Sequence, residues 1–353
     1  MRNLRARLGA AVFGDREARL SIPIMDGALK PNNRLEEAEI LVARDGLEDL
    51  AIDPRGQLHA ACGDGVYRVA DSGALTEIAR FGREVTALAF LPGGSMAVGL
   101  GDAVLLDGRT IDRADDGARF CAVNALQATA GGALLICDGS TRRPYAQWSH
   151  DLMEHGRTGR LSEHDPASGR TRGLAQGLAY AFGALVDGQQ RLLVSESWRH
   201  QITLVGGKAP SAAFAALPGY PARLAPAAGG GFWLCVFACR TQLVEFVLCE
   251  DDYRREMMRT VDPRFWVAPA LRSGEDFLEP LQGGGVKQMG ILKPWAPPRS
   301  YGLVIRFSAD FIPQYSLHSR VGGKNHGVVA AVERDGTLFV LSKGAGRILR
   351  LPV

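Results

Sequence analysis

The stretches LEDLAIDPRGQLHAAC (residues 47–62), VTALAFLPGGSMAVGL (85–100) and VNALQATAGGALLICD (123–138) share one pattern. Apolar residues alternate, a glycine-bearing turn follows, and a short apolar run closes the unit. Alternation at a period of two marks a half-buried strand, and a glycine turn between two such runs marks a hairpin. Gly56, Gly94 and Gly132 stand 38 residues apart. Three more copies follow: FGALVDGQQRLLVSES (182–197), ARLAPAAGGGFWLCVF (222–237) and VVAAVERDGTLFVLSK (328–343). Their turn glycines are Gly188, Gly230 and Gly336. A hairpin-bearing repeat of roughly 40 residues is the size of one four-stranded propeller blade. Six copies predict an all-β fold, a six-bladed β-propeller with loop and helical insertions capping one face.

The later turn glycines are 56, 42 and 106 residues apart, and the two long intervals locate the insertions. One covers about residues 140–161, STRRPYAQWSHDLMEHGRTGRL. The other covers about residues 240–325. It holds EDDYRREMMRTVDPRFW (250–266), helical in pattern with Pro263 as a stop. It also holds the glycine- and proline-rich LEPLQGGGVKQMGILKPWAPP (278–298), a loop. Residues 25–353 therefore read as one propeller, and residues 1–24 as a separate amphipathic or flexible segment. The opening MRNLRARLGAAVFGD carries the charge of a signal peptide, but its apolar stretch is shorter than a working one. Leu4, Leu8, Ala11 and Val12 fall at helical spacing. That face suits weak peripheral membrane contact through residues 1–15, or packing on the chain's own domain.

Composition agrees with a turn-rich globular protein. The 353 residues include 43 Gly and 18 Pro, above the average share of about 12%. Hydrophobic residues make up 46%, too many for a disordered chain. Lys and Arg number 41 against 38 Asp and Glu, a net charge of +3. That balance, with no basic run interleaved with aromatics, excludes a dedicated nucleic-acid binder. No apolar run reaches the ~20 residues of a membrane-spanning helix. The six cysteines form no CxxC pair and no zinc-site spacing, so they read as buried free thiols of a cytoplasmic protein. No nucleophile elbow, P-loop or dinucleotide fingerprint is present.

The middle of the chain carries further motifs: Asp138-Gly139-Ser140, Asp151-Leu152-Met153-Glu154-His155, Thr158-Gly159-Arg160-Leu161, Glu196-Ser197-Trp198 and Leu217-Pro218-Gly219-Tyr220-Pro221. Gly46-Leu47-Glu48-Asp49-Leu50 precedes them, and Glu333-Arg334-Asp335-Gly336 follows. Together these resemble the strictosidine synthase-like family, part of the wider group of gluconolactonases of the SMP-30 type and paraoxonases. The resemblance runs over roughly residues 25–353. It implies a pocket at the propeller axis acting on a small molecule, and a divalent metal there, often calcium, held by one Glu, some Asn and an Asp.

Carried over residue by residue, the resemblance gives a depleted ligand set. Glu48 matches the first-blade Glu, and Asn124 matches an Asn-Asp turn whose Asp is Ala125 here. The Ala-Asn-Gly turn reads Ala181-Phe182-Gly183, and Pro-Asp-Asn reads Pro221-Ala222-Arg223. Two side-chain oxygens are few for Ca²⁺, which takes about 6–8. Arg223 would repel a cation and pair with Glu48. The favoured reading is a metal-free pocket with Glu48, Asn124 and Arg223 around the apolar floor of Phe182. In the rival reading the register differs, and a divalent cation is held by Glu48 and Asn124. The expected function is lactone or ester hydrolysis, or related lyase chemistry, with no cofactor. The catalytic candidates are Glu48, Asn124 and His326, a loop histidine suited to general acid–base work. The substrate-binding candidates are Arg223, Phe182 and His155. Val329 stands where plant strictosidine synthases use a Glu, which argues against Pictet–Spengler chemistry. The alternative is a non-catalytic propeller that binds a small molecule or a protein. Glu196 is expected to pair with Arg199, and the tryptophans to serve mainly as core.

Overall fold

A computed structural model describes residues 21–207, 210–276, 278–280 and 299–353. Among these residues twenty-four strands form six sheets of four antiparallel strands each, a six-bladed propeller. After β1 (Glu39–Ala43), blade 1 holds β2 (Leu47–Ile52), β3 (Leu58–Cys62), β4 (Gly65–Val69) and β5 (Leu75–Arg80). Blade 2 is β6 (Ala87–Phe90) to β9 (Arg109–Ile111), and blade 3 is β10 (Val123–Ala128) to β13 (Arg170–Leu178). Blade 4 runs from β14 (Ala181–Val186) to β17 (Ser211–Phe214). Blade 5 holds β18 (Gly219–Pro226), β19 (Phe232–Cys239), β20 (Gly302–Phe307) and β21 (Pro313–Ser319). Blade 6 joins the two ends of the described chain. Strand β1 (Glu39–Ala43) pairs with β24 (Arg347–Pro352), beside β23 (Thr337–Ser342) and β22 (Val328–Arg334). Closing the ring in this way leaves no blade without a neighbour.

The first strand of every blade lines the axis and is buried over most of its length, because both of its faces meet other strands. Apolar layers fill the spaces between blades, such as Ala51, Ala61 and Val66 of blade 1 against Val85, Leu88 and Val98 at blade 2. The turn glycines behave as the repeat predicts at five positions: Gly56, Gly94, Gly132, Gly230 and Gly336 all have positive φ. Blade 4 differs. Its left-handed turn residue is Gln190 (φ 61°), which donates its N–H to Asp187 O, as Gly56 does to Asp53 O. Gly188 lies two residues earlier, so the repeat register there is shifted.

The first insertion, between β11 (Leu134–Asp138) and β12 (Gly159–Asp165), carries a short 3-10 turn at Tyr145–Gln147 and helix α1 (Trp148–Met153). The second insertion is shorter than the 240–325 interval. It ends before β20, because residues 302–319 form the outer two strands of blade 5. It contains α2 (Gln242–Cys249), capped by the Thr241 hydroxyl, which accepts from Val244 N–H, and α3 (Asp251–Thr260). The expectations for residues 1–20, and for most of the 278–298 loop, lie outside the described residues. Among the described residues no helix is long and apolar enough to cross a membrane. All six cysteines are free thiols.

Candidate functional site

The axial strands do not pair evenly with their neighbours. In β2 the register with β3 slips between Leu47 and Asp49, so Glu48 stands out of the ladder. The same slip isolates Asn124 in β10, Phe182 in β14 and Val329 in β22. In β18 it isolates Ala222 and Arg223. A bulge bends its strand and re-aims the side chain of the extra residue. Here it repeats in five of the six axial strands; β6 of blade 2 pairs with its neighbour without a slip. It brings Glu48, Asn124, Phe182, Arg223 and Val329 to the axis from five different blades.

Glu48 is buried, and its Oε2 is held by two groups from distant segments. The Tyr145 hydroxyl donates to it at 2.6 Å, and the Lys343 ammonium donates at 2.5 Å. Lys343 Nζ also donates to the Tyr145 oxygen at 3.0 Å. Tyr145 comes from the first insertion and Lys343 from the turn after β23. Burial, with the neighbouring Glu48 charge, pushes the Tyr145 hydroxyl well above its usual pKa, so it acts as a neutral donor. The Glu84 carboxyl sits at the rim beside Glu48; burial first and then the Glu48 charge raise its pKa. Neither amide atom of the fully buried Asn124 meets a partner with full hydrogen-bond geometry, and the Tyr180 hydroxyl is the one side chain among the described residues that interacts with it. A buried amide without full partners is costly and marks a place where a ligand or water belongs.

Phe182, Val329, Tyr180, Trp198 and Phe237 form the apolar wall, under Tyr145 and Trp148. Tyr180 stacks on Trp198 at 4.5 Å between ring centroids, and Trp148 meets the edge of Phe237 at 5.5 Å. The enclosed space is about 20 Å³, room for one water molecule. Gly139 is required by this packing. A Cβ there would lie 2.6 Å from Asn124 Nδ2 and 2.9 Å from the Tyr180 ring.

Arg223 reaches the axis but does not take up the role expected of it. Its Nη2 donates to the carbonyls of Thr86 (2.8 Å) and Asn124 (2.6 Å), and its Nη1 donates to the carbonyl of Glu48 (3.2 Å). Its ionic partner is Asp49 (Nε to Oδ1, 3.3 Å), not the Glu48 carboxylate. Successive residues of a strand point to opposite sides, so Asp49 lines the far half of the channel while Glu48 turns toward Tyr145 and Lys343. Arg223 thus ties blade 5 to blades 1, 2 and 3 and is spent on the scaffold rather than on a substrate. Burial pushes the Asp49 carboxyl up to about 6, against the opposing pull of Arg223. Beyond Arg223 the channel opens into a separate space of about 230 Å³.

Two of the histidine expectations also change. His326 is buried outside the cavity wall, with both ring nitrogens engaged. The Ser300 hydroxyl lies 2.8 Å from Nδ1, and Nε2 lies 3.0 Å from the Arg320 carbonyl, so Nε2 carries the proton. Burial lowers its pKa. A neutral ring with no open nitrogen is a structural strut, not a general acid or base. His155 contacts Arg254 and lines a different cavity. Glu196 does pair with Arg199, at 2.5 Å. Trp233 and Trp266 are core, whereas Trp148 and Trp198 line the cavity. Trp295 lies outside the described residues. Lys343 and Tyr145 were not among the sequence-based candidates. The one signal for Lys343 is its place directly after the last repeat's closing run, VLSK.

As a metal site the axis is poor in donors. Glu48 and Asn124 supply oxygens, Phe182 and Val329 supply none, and the Thr86 hydroxyl is spent on the Val123 carbonyl at 2.6 Å. A fixed ammonium already occupies one oxygen of Glu48. Among the described residues no three His, Cys, Asp or Glu side chains converge. This donor set does not fit a calcium ion.

Comparison with known proteins bears on the family. A family model described as strictosidine synthase-like, N-terminal, matches residues 27–68. The protein STRICTOSIDINE SYNTHASE-LIKE 6 of Arabidopsis thaliana is 30% identical over 124 residues, 34% of this chain and 33% of that one. The adipocyte plasma membrane-associated protein of Salmo salar is 26% identical over 259 residues, 62% of this chain and 60% of that one. The chain thus aligns with about a third of the plant relative's length and three-fifths of the fish relative's. Among solved structures, a gluconolactonase from Xanthomonas campestris superposes with a TM-score of 0.57 at 13% identity, covering 94% of this chain and 95% of that one. That likeness shows the propeller fold. The first-blade match, the curated relatives and the closed six-bladed ring together support the strictosidine synthase-like family.

Proposed function

We propose that this protein hydrolyses a small lactone or ester at the propeller axis without a divalent metal. The observation that carries this reading is the buried Glu48–Tyr145–Lys343 cluster, with Asn124 set at the matching bulge of β10. Glu48 accepts a proton from water as the water oxygen attacks the carbonyl carbon. The carbonyl electrons move onto oxygen, where the Lys343 ammonium and the Asn124 N–H donate to the oxyanion. The tetrahedral species collapses, the C–O bond to the alkoxide breaks, and the proton held by Glu48 passes to the leaving oxygen. Tyr145 orients the Glu48 carboxylate. Its raised pKa suits it to holding a proton rather than releasing one. Phe182 and Val329 form the apolar floor, and Val329 supplies no acid–base group for amine–aldehyde condensation.

Since the cavity has room for only one water molecule, substrate entry requires Tyr145 and Trp148 to move aside with the first insertion. The same closed cavity supports the second reading, a non-catalytic binding propeller. A screen of lactones and 4-nitrophenyl esters separates the two. Turnover that survives EDTA and falls at least a hundredfold in Glu48→Gln supports hydrolysis. Turnover abolished by chelation would refute the metal-free mechanism, and no turnover with any substrate would favour the binding reading.

A further inference from the structure

Beside the axial cavity lies a larger chamber of about 440 Å³, on the same face of the propeller. It is framed by the first insertion, the end of β15 (Leu192–Glu196) and the second insertion. Trp198 belongs to both spaces: it walls the axial cavity on one side and the chamber on the other. Asp151 accepts the Trp198 indole N–H at 2.7 Å, which fixes the plane of this partition.

The chamber's lining has a definite chemistry. Leu152, Leu248 and Trp198 give it an apolar body. Three arginines, Arg157, Arg199 and Arg240, face it against one carboxylate, Glu245. That carboxylate is already committed to Arg240 at 3.1 Å and to the Tyr220 hydroxyl at 3.3 Å. Arg199 spends one of its five N–H donors, on Glu196 behind the wall. Arg157 stands exposed on the rim and forms no ion pair with any described residue. A guanidinium with open donors beside an apolar wall is the pattern that recognises an organic carboxylate.

We propose that the chamber is a carboxylate site, taking the acid end of an amphiphilic substrate whose ester or lactone group reaches Glu48 past Trp198. The substrate role rests on the hydrolase reading; the binding of an apolar carboxylate does not. Isothermal titration of the full chain with 4-phenylbutyrate and with its neutral amide tests the binding directly. The acid is expected to bind at least tenfold more tightly than the amide, and Arg157→Ala to weaken the acid at least fivefold while leaving the amide unchanged. Arg157 is exposed and outside the core, so this variant keeps the fold. Equal affinity for acid and amide, no binding of the acid, or an unchanged affinity in Arg157→Ala would each overturn the assignment. A second arm compares hydrolysis of mono-4-nitrophenyl glutarate with that of 4-nitrophenyl butyrate. A preference for the acidic ester that is lost in Arg157→Ala is expected. If neither ester turns over while the binding arm holds, the hydrolase reading falls and the carboxylate site stands. Glu48-dependent turnover without carboxylate binding removes the chamber assignment alone.

Discussion

Replacing Arg223 with alanine should cost the fold about 3–5 kcal/mol at pH 7, the usual price of removing one partner from a buried pair. The side chain donates to three carbonyls from three blades, at 2.6, 2.8 and 3.2 Å, and stands 3.3 Å from Asp49. A hydrogen bond to a charged group contributes about 1.5–3 kcal/mol, so the three carbonyls alone could lose more than that total. The adjoining 230 Å³ space limits the loss, since water entering from it can satisfy the freed carbonyls. What water cannot cheaply repair is the Asp49 charge, left in the channel without its cation. This makes the cost depend on pH. The folded pKa of Asp49, about 6, lies above its ordinary value of 3.8, so ionisation opposes folding and stability from this group grows as pH falls through 6. The native protein should gain about 1 kcal/mol from Asp49 between pH 7 and pH 5. The variant, whose Asp49 has lost the opposing Arg223 charge, should gain more, so the gap between the two narrows at pH 5. Urea unfolding at both pH values, followed by tryptophan fluorescence and circular dichroism, measures it. Arg223→Met should recover at least 1 kcal/mol when combined with Asp49→Asn, since no lone carboxylate then remains. A cost below about 1 kcal/mol at pH 7, or one equal at pH 7 and pH 5, would mean that Arg223 does not neutralise Asp49 and tie the blades at the axis.

Lys343→Met should lower kcat for ester hydrolysis by about a hundredfold, as expected for loss of one oxyanion donor. An unchanged kcat in this variant would place Lys343 outside the chemistry. Gly139→Ala should push the Asn124 amide and the Tyr180 ring out of place, costing about 1–3 kcal/mol in thermal unfolding and at least tenfold in kcat/KM. If crystallography of that variant found Asn124 undisturbed with full activity, the amide would have no part in the reaction.

Some of this architecture is written locally in the chain. The alternating runs around Gly56, Gly94 and Gly132 each make one hairpin from contacts a few residues apart, so period and turn chemistry were enough to predict blades and to count them. Motif likeness placed Glu48, Asn124, Phe182, Arg223 and Val329 at corresponding points of successive units, and the matching bulges put them at one axis. Blade 4 shows where local reading slips. Gln190 adopts the left-handed turn position with a glycine two residues away, because the Asp187 hydrogen bonds fix the turn rather than the residue that best tolerates it.

Partnership across the ring was not legible. Lys343 and Tyr145 stand 295 and 97 residues from Glu48, and nothing in their neighbourhoods signals that they meet. Arg223 was expected at the axis, but whether it would face Glu48 or Asp49 depended on a one-residue alternation at the end of a bulged strand. His326 has the residue type of a catalyst, yet Ser300 and Arg320 occupy both of its nitrogens. The repeating unit is legible in the chain alone, because hairpin formation is short-ranged. Closure of six units around one axis decided the site, because it sets which side chains share a buried space and which charges must neutralise one another there.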